Sequence, residues 1–229
     1  MCGRDAAGPM RMMSPTMQVR DAIRGFYAML DRPDEALGRA LLAGGARVLQ
    51  VRLKPRGRRA GAGEILALAR LARRLCDEVG AALVVNDRID VALAARADGV
   101  HLGQTDLPLR AARAVVRGRL WIGISTHTLD QVRIACAGGA DYLGFGPIFP
   151  THTKVDADPV QGVTGLRAAC VVAGATPVVA IGGITGAAVH ALHGAGAAAA
   201  CAIGAVNDAP DVIAIARALG NPWASSRVS

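Results

Sequence analysis

Two aspartates, Asp87 and Asp106, and the run Thr151-His-Thr153-Lys154 are the residues of this chain best suited to handling phosphate. Two carboxylates, with water and phosphate oxygens in the remaining positions, are how Mg²⁺ is usually held in phosphate-handling sites. The same aspartates also read as loop caps or as partners of Arg88 and Arg110, and the residues alone do not choose. Thr151, Thr153 and Lys154 lie in a loop bounded by glycine and proline, and with Gly182-Gly183 and Gly204 they can build an anion pocket. Glycine lets backbone N–H groups approach a phosphate, hydroxyls add hydrogen bonds and lysine adds charge. Plain turn formation is the other reading of the glycines. Only two of the 26 basic residues are lysines, Lys54 and Lys154. Where arginine is the default, an isolated lysine points to a place that needs a compact point charge, and drift in composition is the competing account.

Such residues act together only if the fold brings them to one place. From residue 22 a rhythm runs along the chain: a short β-favouring run, a polar or glycine-rich junction, then an amphipathic stretch rich in Ala, Leu and Arg. Strands are expected at Phe26–Leu30, Val48–Arg52, Ala82–Asn86, Gly99–Leu102, Trp121–Ser125, Asp141–Gly146, Pro177–Gly182 and Ala198–Gly204, each short and apolar as in sheets buried on both faces. Helices are expected at 34–43, 64–79, 88–95, 108–117, 128–137, 162–173, 185–194 and 208–219. The clearest is Glu64–Val79, where Ile65, Leu68, Leu71, Ala72 and Leu75 form one apolar stripe. Alternating strands and helices imply parallel strands with helical crossovers. An open doubly wound sheet is the alternative, but no GxGxxG opens a helix after the first strand. The count, length and even spacing fit a single-domain α/β fold, the (β/α)8 or TIM barrel, at 21–220, with an N-terminal extension at 1–20 and a C-terminal tail at 221–229.

In that barrel, chemistry sits at the C-terminal ends of the strands. Gln50-Val-Arg52-Leu-Lys54 follows strand two, Asn86-Asp87 strand three, and His101-Leu-Gly-Gln104-Thr-Asp106 strand four. Ser125-Thr-His127 ends strand five, the Pro150-to-Lys154 loop follows strand six, and Gly182-Gly183 and Gly204 end strands seven and eight. One rim is therefore loaded with polar residues and glycine. His127 and His152 lie on it, while His101, between Val100 and Leu102, reads as a satisfied barrel histidine.

Composition narrows the class. With 52% hydrophobic residues and a mean hydropathy of +0.33 the chain can bury a sizeable core, which excludes disorder. No apolar stretch approaches the roughly 20 residues of a spanning helix, so no membrane association is expected. Residues 1–120 hold 21 basic and 12 acidic residues, and the rest hold 5 and 6. That field suits anionic metabolites. Nucleic acid is not the expected partner, because aromatics make up only 3% and do not alternate with the basic residues. Five scattered cysteines (Cys2, Cys76, Cys136, Cys170, Cys201) without CxxC spacing argue against disulfides and structural zinc and for a reducing, cytoplasmic setting. Cys136, Cys170 and Cys201 read as small buried hydrophobes.

The motifs carry a resemblance as well. Across residues 22–215 the chain resembles thiamine phosphate synthases, on the strings QVRLK (50–54), NDRIDVALAARADGVHLGQTDLP (86–108), IGISTHT (122–128), ADYLGFGPIFPTHTK (140–154) and VVAIGGI (178–184). The resemblance implies a (β/α)8 enzyme, a transferase that couples 4-amino-2-methyl-5-(diphosphooxymethyl)pyrimidine to thiazole phosphate, releases pyrophosphate and requires Mg²⁺. It implies that Gln50, Arg52, Lys54, Asn86, Ser125 and Lys154 bind the pyrimidine diphosphate, with Arg52, Lys54 and Lys154 as the catalytic cations. Asp87 and Asp106 would then hold Mg²⁺. Thr151, Thr153, Gly182, Gly183, Ile203 and Gly204 would receive the thiazole phosphate. One departure is Gly204, where the family commonly has a serine. Another is the alanine-rich stretch 197–200, where an acidic residue is often seen. A thiazole tautomerase-like relative, a barrel isomerase or aldolase, and a non-catalytic phosphate-binding barrel are the competing readings; a homo-oligomer is compatible with each.

Overall fold

Along each strand of this protein, alternate side chains fall into two different cores, and that division explains the whole architecture. The computed structural model describes residues 18–54, 58–151 and 159–224. In chain order the elements are α1 (Val19–Ala22), β1 (Gly25–Leu30), α2 (Glu35–Ala43), β2 (Val48–Val51), α3 (Ala62–Val79), β3 (Ala82–Asn86), α4 (Ile89–Ala94), β4 (Gly99–Leu102) and α5 (Leu109–Val116). They continue with β5 (Trp121–Thr126), α6 (Leu129–Ala137), β6 (Tyr142–Phe145), α7 (Gly162–Ala173), β7 (Val178–Ile181), a 3₁₀ turn at Gly186–Ala188, α8 (Val189–Gly194), β8 (Ala199–Cys201), α9 (Gly204–Asn207) and α10 (Val212–Ala224). The strands pair parallel in chain order and close into a barrel, with Gly25, Phe26 and Tyr27 of β1 opposite Ala199, Ala200 and Cys201 of β8.

The outward residues, such as Phe26, Leu49, Leu83, Ile122 and Leu143, pack under the helices. The inward set includes Tyr27, Val48, Val84, Tyr142 and Val179, and Ala22 and Ile23 just before β1 belong to the same cluster. Two large rings share this narrow interior because a neighbouring strand carries no side chain: a Cβ at Gly123 would lie 2.1 Å from Cζ of Tyr142. Beyond the N-terminal ends of the strands, aspartates fasten one unit to the next. Asp98 accepts from Leu83 N and pairs with Arg73 (both 2.7 Å), and Asp141 accepts from Ile122 N and pairs with Arg113 (both 2.6 Å). Polar partners at this end serve stability and leave the other end for chemistry.

The expected elements are present with shifted edges. The last helix begins at Val212 rather than 208, because Asp211 caps it by accepting from Ala214 N at 2.9 Å, while Asp208 pairs with Arg32 at 3.1 Å. It also runs past residue 220: Trp223 is buried and donates its indole N–H to Ala197 O at 2.8 Å, which places this part of the expected tail in the packed fold. At the other end α1 starts at Val19, which packs against the barrel interior. The short helix α9 was not expected. Cys76 and Cys201 are buried, but Cys136 and Cys170 are only half-buried, since both sit on helix faces at the edge of the outer core. Among the described residues no helix is long and apolar enough to cross a membrane.

Candidate functional site

A cavity of about 770 Å³ opens at the C-terminal ends of the strands, and the polar strand ends converge on it. β2 sends Gln50, buried, and then Arg52 and Lys54 to its wall; β3 sends Asn86 and Asp87; the loop after β4 sends Asp106. Ser125 ends β5, Thr151 comes from the loop after β6, Gly182 and Gly183 follow β7, and Ile203 and Gly204 follow β8. Every described residue assigned to the site from the sequence thus faces one space. His152, Thr153 and Lys154 lie outside the described residues.

The two aspartates meet. Asp106 accepts from Gly103 N at 2.7 Å, so it does cap its own loop, and its carboxyl still comes within hydrogen-bonding reach of Asp87. Asp87 forms an ion pair with Lys54 (Nζ–Oδ2 3.2 Å), whereas Arg88 pairs with Asp90. Burial raises the Asp87 carboxyl above its ordinary range, Lys54 opposes this, and the neighbouring Asp106 adds to it. The backbone at Asp87 is left-handed (φ +63°), with its N–H donating to His101 O at 2.8 Å. A non-glycine residue there is strained, and strain of this kind clusters at ligand-binding sites. The donor set is two carboxylates beside the cations Arg52 and Lys54, without a thiolate or imidazole in it. That fits a hard divalent cation such as Mg²⁺ and not zinc.

Below them a chain of hydrogen bonds crosses the barrel interior. Gln50 Nε2 donates to Asn86 Oδ1 at 2.8 Å, and Gln50 Oε1 accepts from the Tyr27 hydroxyl at 2.7 Å. Tyr27 and Tyr142 hydroxyls are 2.8 Å apart, Tyr142 is 3.1 Å from His101 Nδ1, and His101 Nε2 is 2.9 Å from Ser125 Oγ. Burial, and then Arg52, hold His101 down to about 4, so the ring is neutral, and burial pushes both tyrosines up. Gln104 donates to Ser125 O at 2.6 Å and steadies that end. Tyr27 and Tyr142 were not among the residues picked from the sequence. They are its only two tyrosines, and both fall at inward positions of strands, which is the signal that was available.

The opposite wall is backbone. Gly182 and Gly183 are both left-handed (φ +86° and +66°), and the loop after β6 lies against them, with Ile148 N on Ile181 O (2.9 Å) and Phe149 N on Gly182 O (3.1 Å). A Cβ at Gly182 would come 2.6 Å from Pro147 Cβ, and one at Gly183 would come 2.5 Å from Pro150 O. These glycines are therefore required by the close approach of a second loop as well as by their turn. Gly204 differs, because a Cβ there would have nothing within 4 Å. His127 lines the cavity with Nδ1 2.5 Å from Gly146 O.

Residues 27–206 match the family model described as thiamine monophosphate synthase. The chain is 46% identical over 176 residues to the thiamine-phosphate synthase of Methanospirillum hungatei, covering 77% of this chain and 83% of that one. It is 43% identical over 212 residues to the thiamine-phosphate synthase of Anaeromyxobacter dehalogenans, covering 92% of each. Among solved structures, the thiamine phosphate pyrophosphorylase of Pyrococcus furiosus superposes with a TM-score of 0.81 at 33% identity, covering 92% of this chain and all of that one.

Proposed function

The chain belongs to the thiamine monophosphate synthase family and is an enzyme of the transferase class, and from that premise we propose how its residues do the work. The reaction joins 4-amino-2-methyl-5-(diphosphooxymethyl)pyrimidine to thiazole phosphate and releases pyrophosphate. The observation that carries this reading is the meeting of Asp87 and Asp106 beside Lys54, across one cavity from the Gly182-Gly183 turn. On this reading a diphosphate and a monophosphate take separate seats in one cavity.

The attacking thiazole nitrogen has no proton to lose, so no general base is needed. The aminopyrimidine is electron-rich and stabilises positive charge on its methylene carbon, which favours early C–O cleavage. Arg52 and Lys54 meet the negative charge that grows on the departing pyrophosphate, and Lys154 is assigned the same task from the family pattern. Gln50 and Asn86 hold the ring, and Ser125 holds the diphosphate. Thr151, Thr153 and the Gly182-Gly183 turn seat the thiazole phosphate, with Ile203 and Gly204 at its edge. Their geometry aligns the nitrogen with the carbon and keeps water away from the cation. Mg²⁺ held by Asp87 and Asp106 would supply charge neutralisation on the diphosphate oxygens. The substrates are small metabolites of the cytoplasm.

Incubation of the protein with both phosphorylated rings should release pyrophosphate in the presence of Mg²⁺ and far less after chelation. Conversion of the thiazole alone, without Mg²⁺ and without pyrophosphate, would instead establish the tautomerase reading. A gain of function is expected at Gly204. Serine fits there without contact, and one added hydrogen bond of about 1 kcal/mol should lower the KM for thiazole phosphate by about five-fold in Gly204→Ser with little change in kcat. An unchanged KM in steady-state assays would remove Gly204 from the phosphate seat.

A further inference from the structure

We propose that Tyr27, Tyr142 and His101 are positioning residues that couple recognition of the substrate ring at Asn86 to the direction of the Ser125 hydroxyl at the diphosphate. The proposal rests on the placement of the pyrimidine diphosphate given above and on the number of protons the chain can share. Each tyrosine hydroxyl has one hydrogen, and a neutral imidazole has one N–H. Tyr27 donates to Gln50 Oε1, so between the two hydroxyls it must accept, and Tyr142 donates to it. Tyr142 has then spent its hydrogen and accepts from His101 Nδ1–H. His101 Nε2 is left bare and accepts from Ser125. At the far end Gln50 donates to Asn86 Oδ1, which leaves the Asn86 amide hydrogens free to face the cavity.

The chain is thus polarised along its whole length, and only one other arrangement satisfies every member. Turning both amides over reverses all the bonds. Asn86 then offers its carbonyl to the cavity, His101 carries its hydrogen on Nε2, and Ser125 points its hydrogen outward. A diphosphate oxygen is an acceptor only, so it selects this second polarity. In that polarity the ring edge facing Asn86 must donate, as an exocyclic amino group does and a ring carbonyl does not. The buried chain therefore links the two ends of one substrate: a ring with an amine edge and a diphosphate strengthen each other's binding. The tyrosines hold no substrate atom in this account. They carry the constraint from one end to the other, and a phenylalanine at either position breaks it while keeping the ring that fills the barrel.

Imidazole ¹⁵N resonances distinguish the two tautomers of His101. The free protein should show the Nδ1–H form, and inorganic pyrophosphate with Mg²⁺ should convert it to Nε2–H. Titration calorimetry with two fragments reads the coupling: bound pyrophosphate should raise affinity for 4-amino-5-hydroxymethyl-2-methylpyrimidine by at least about five-fold in the wild type. In Tyr142→Phe, and equally in Tyr27→Phe, that factor should fall to near one while each fragment still binds alone. A His101 that keeps one tautomer with and without pyrophosphate, or an undiminished coupling in the variants, overturns the relay. If this happens in a wild type that releases pyrophosphate normally, the relay fails alone. A wild type that neither binds nor releases pyrophosphate overturns the reaction assigned above together with the relay.

Discussion

Asp87→Asn should lower kcat/KM by about 10²–10³-fold, the usual scale for losing one preorganised charge at a transition state, while leaving the melting temperature at or slightly above that of the wild type. The two effects separate because the residue is poorly placed for stability. Its backbone sits at φ +63°, a region asparagine adopts as readily as aspartate. Its carboxylate is part-buried and faces a second carboxylate, and both features work against the charged form. The one compensating contact, with Lys54, joins a lysine side chain that is 53% exposed, so its loss costs about 0–1 kcal/mol. A neutral amide therefore removes an unfavourable charge from the fold and at the same time takes away half of the oxygen pair that suits a divalent cation. The variant should also need more Mg²⁺ to reach its reduced rate. Thermal melts beside pyrophosphate-release assays across a Mg²⁺ series would check this. A near-normal rate would remove Asp87 from the chemistry, and a large fall in melting temperature would make its role structural.

How far such a residue can be found without coordinates depends on the kind of information it carries. The strands are legible because runs such as Val48–Val51 and Ala82–Asn86 are short, apolar and flanked by turn residues, and α3 because its stripe repeats at helical spacing. The rim follows once parallel closure is assumed, which is why Gln50, Asn86, Asp87, Asp106 and Ser125 could be named and do face one cavity. What alternation cannot supply is register across the barrel. It places Tyr27 and Tyr142 inside, but that their hydroxyls touch depends on β1 and β6 facing each other across an interior that Gly123 leaves open. Edges set by side-chain capping are hidden for the same reason. Asp208 and Asp211 look alike as helix starts, and the choice falls to Arg32, which is distant in sequence and takes Asp208.

The Gly182-Gly183 turn shows this limit and gives the second large effect. Glycine after a strand is expected in any turn, so the residues alone left phosphate binding and turn formation both open. The structure adds a third demand, the loop after β6 pressed against them. Gly183→Ala forces an L-residue into a left-handed backbone, at about 1–2 kcal/mol, and drives a Cβ to 2.5 Å from a main-chain oxygen, Pro150 O, which has no rotamer to yield with. Relief must come from moving the loop that carries Thr151, away from the seat assigned to the thiazole phosphate. A shift of about 1 Å there is enough to cost about 10²-fold in rate, since the proposed assignment delivers the nucleophile from that seat. The KM for thiazole phosphate should rise while that for the pyrimidine diphosphate, assigned above to the opposite wall, changes little. Gly186→Ala is the matched control: it lies just beyond the same turn, its Cβ would meet nothing within 4 Å, and its activity should equal that of the wild type. Steady-state kinetics in both substrates would decide the matter, and equal increases in the two KM values would show that the displaced loop serves the whole cavity and not the monophosphate end of it.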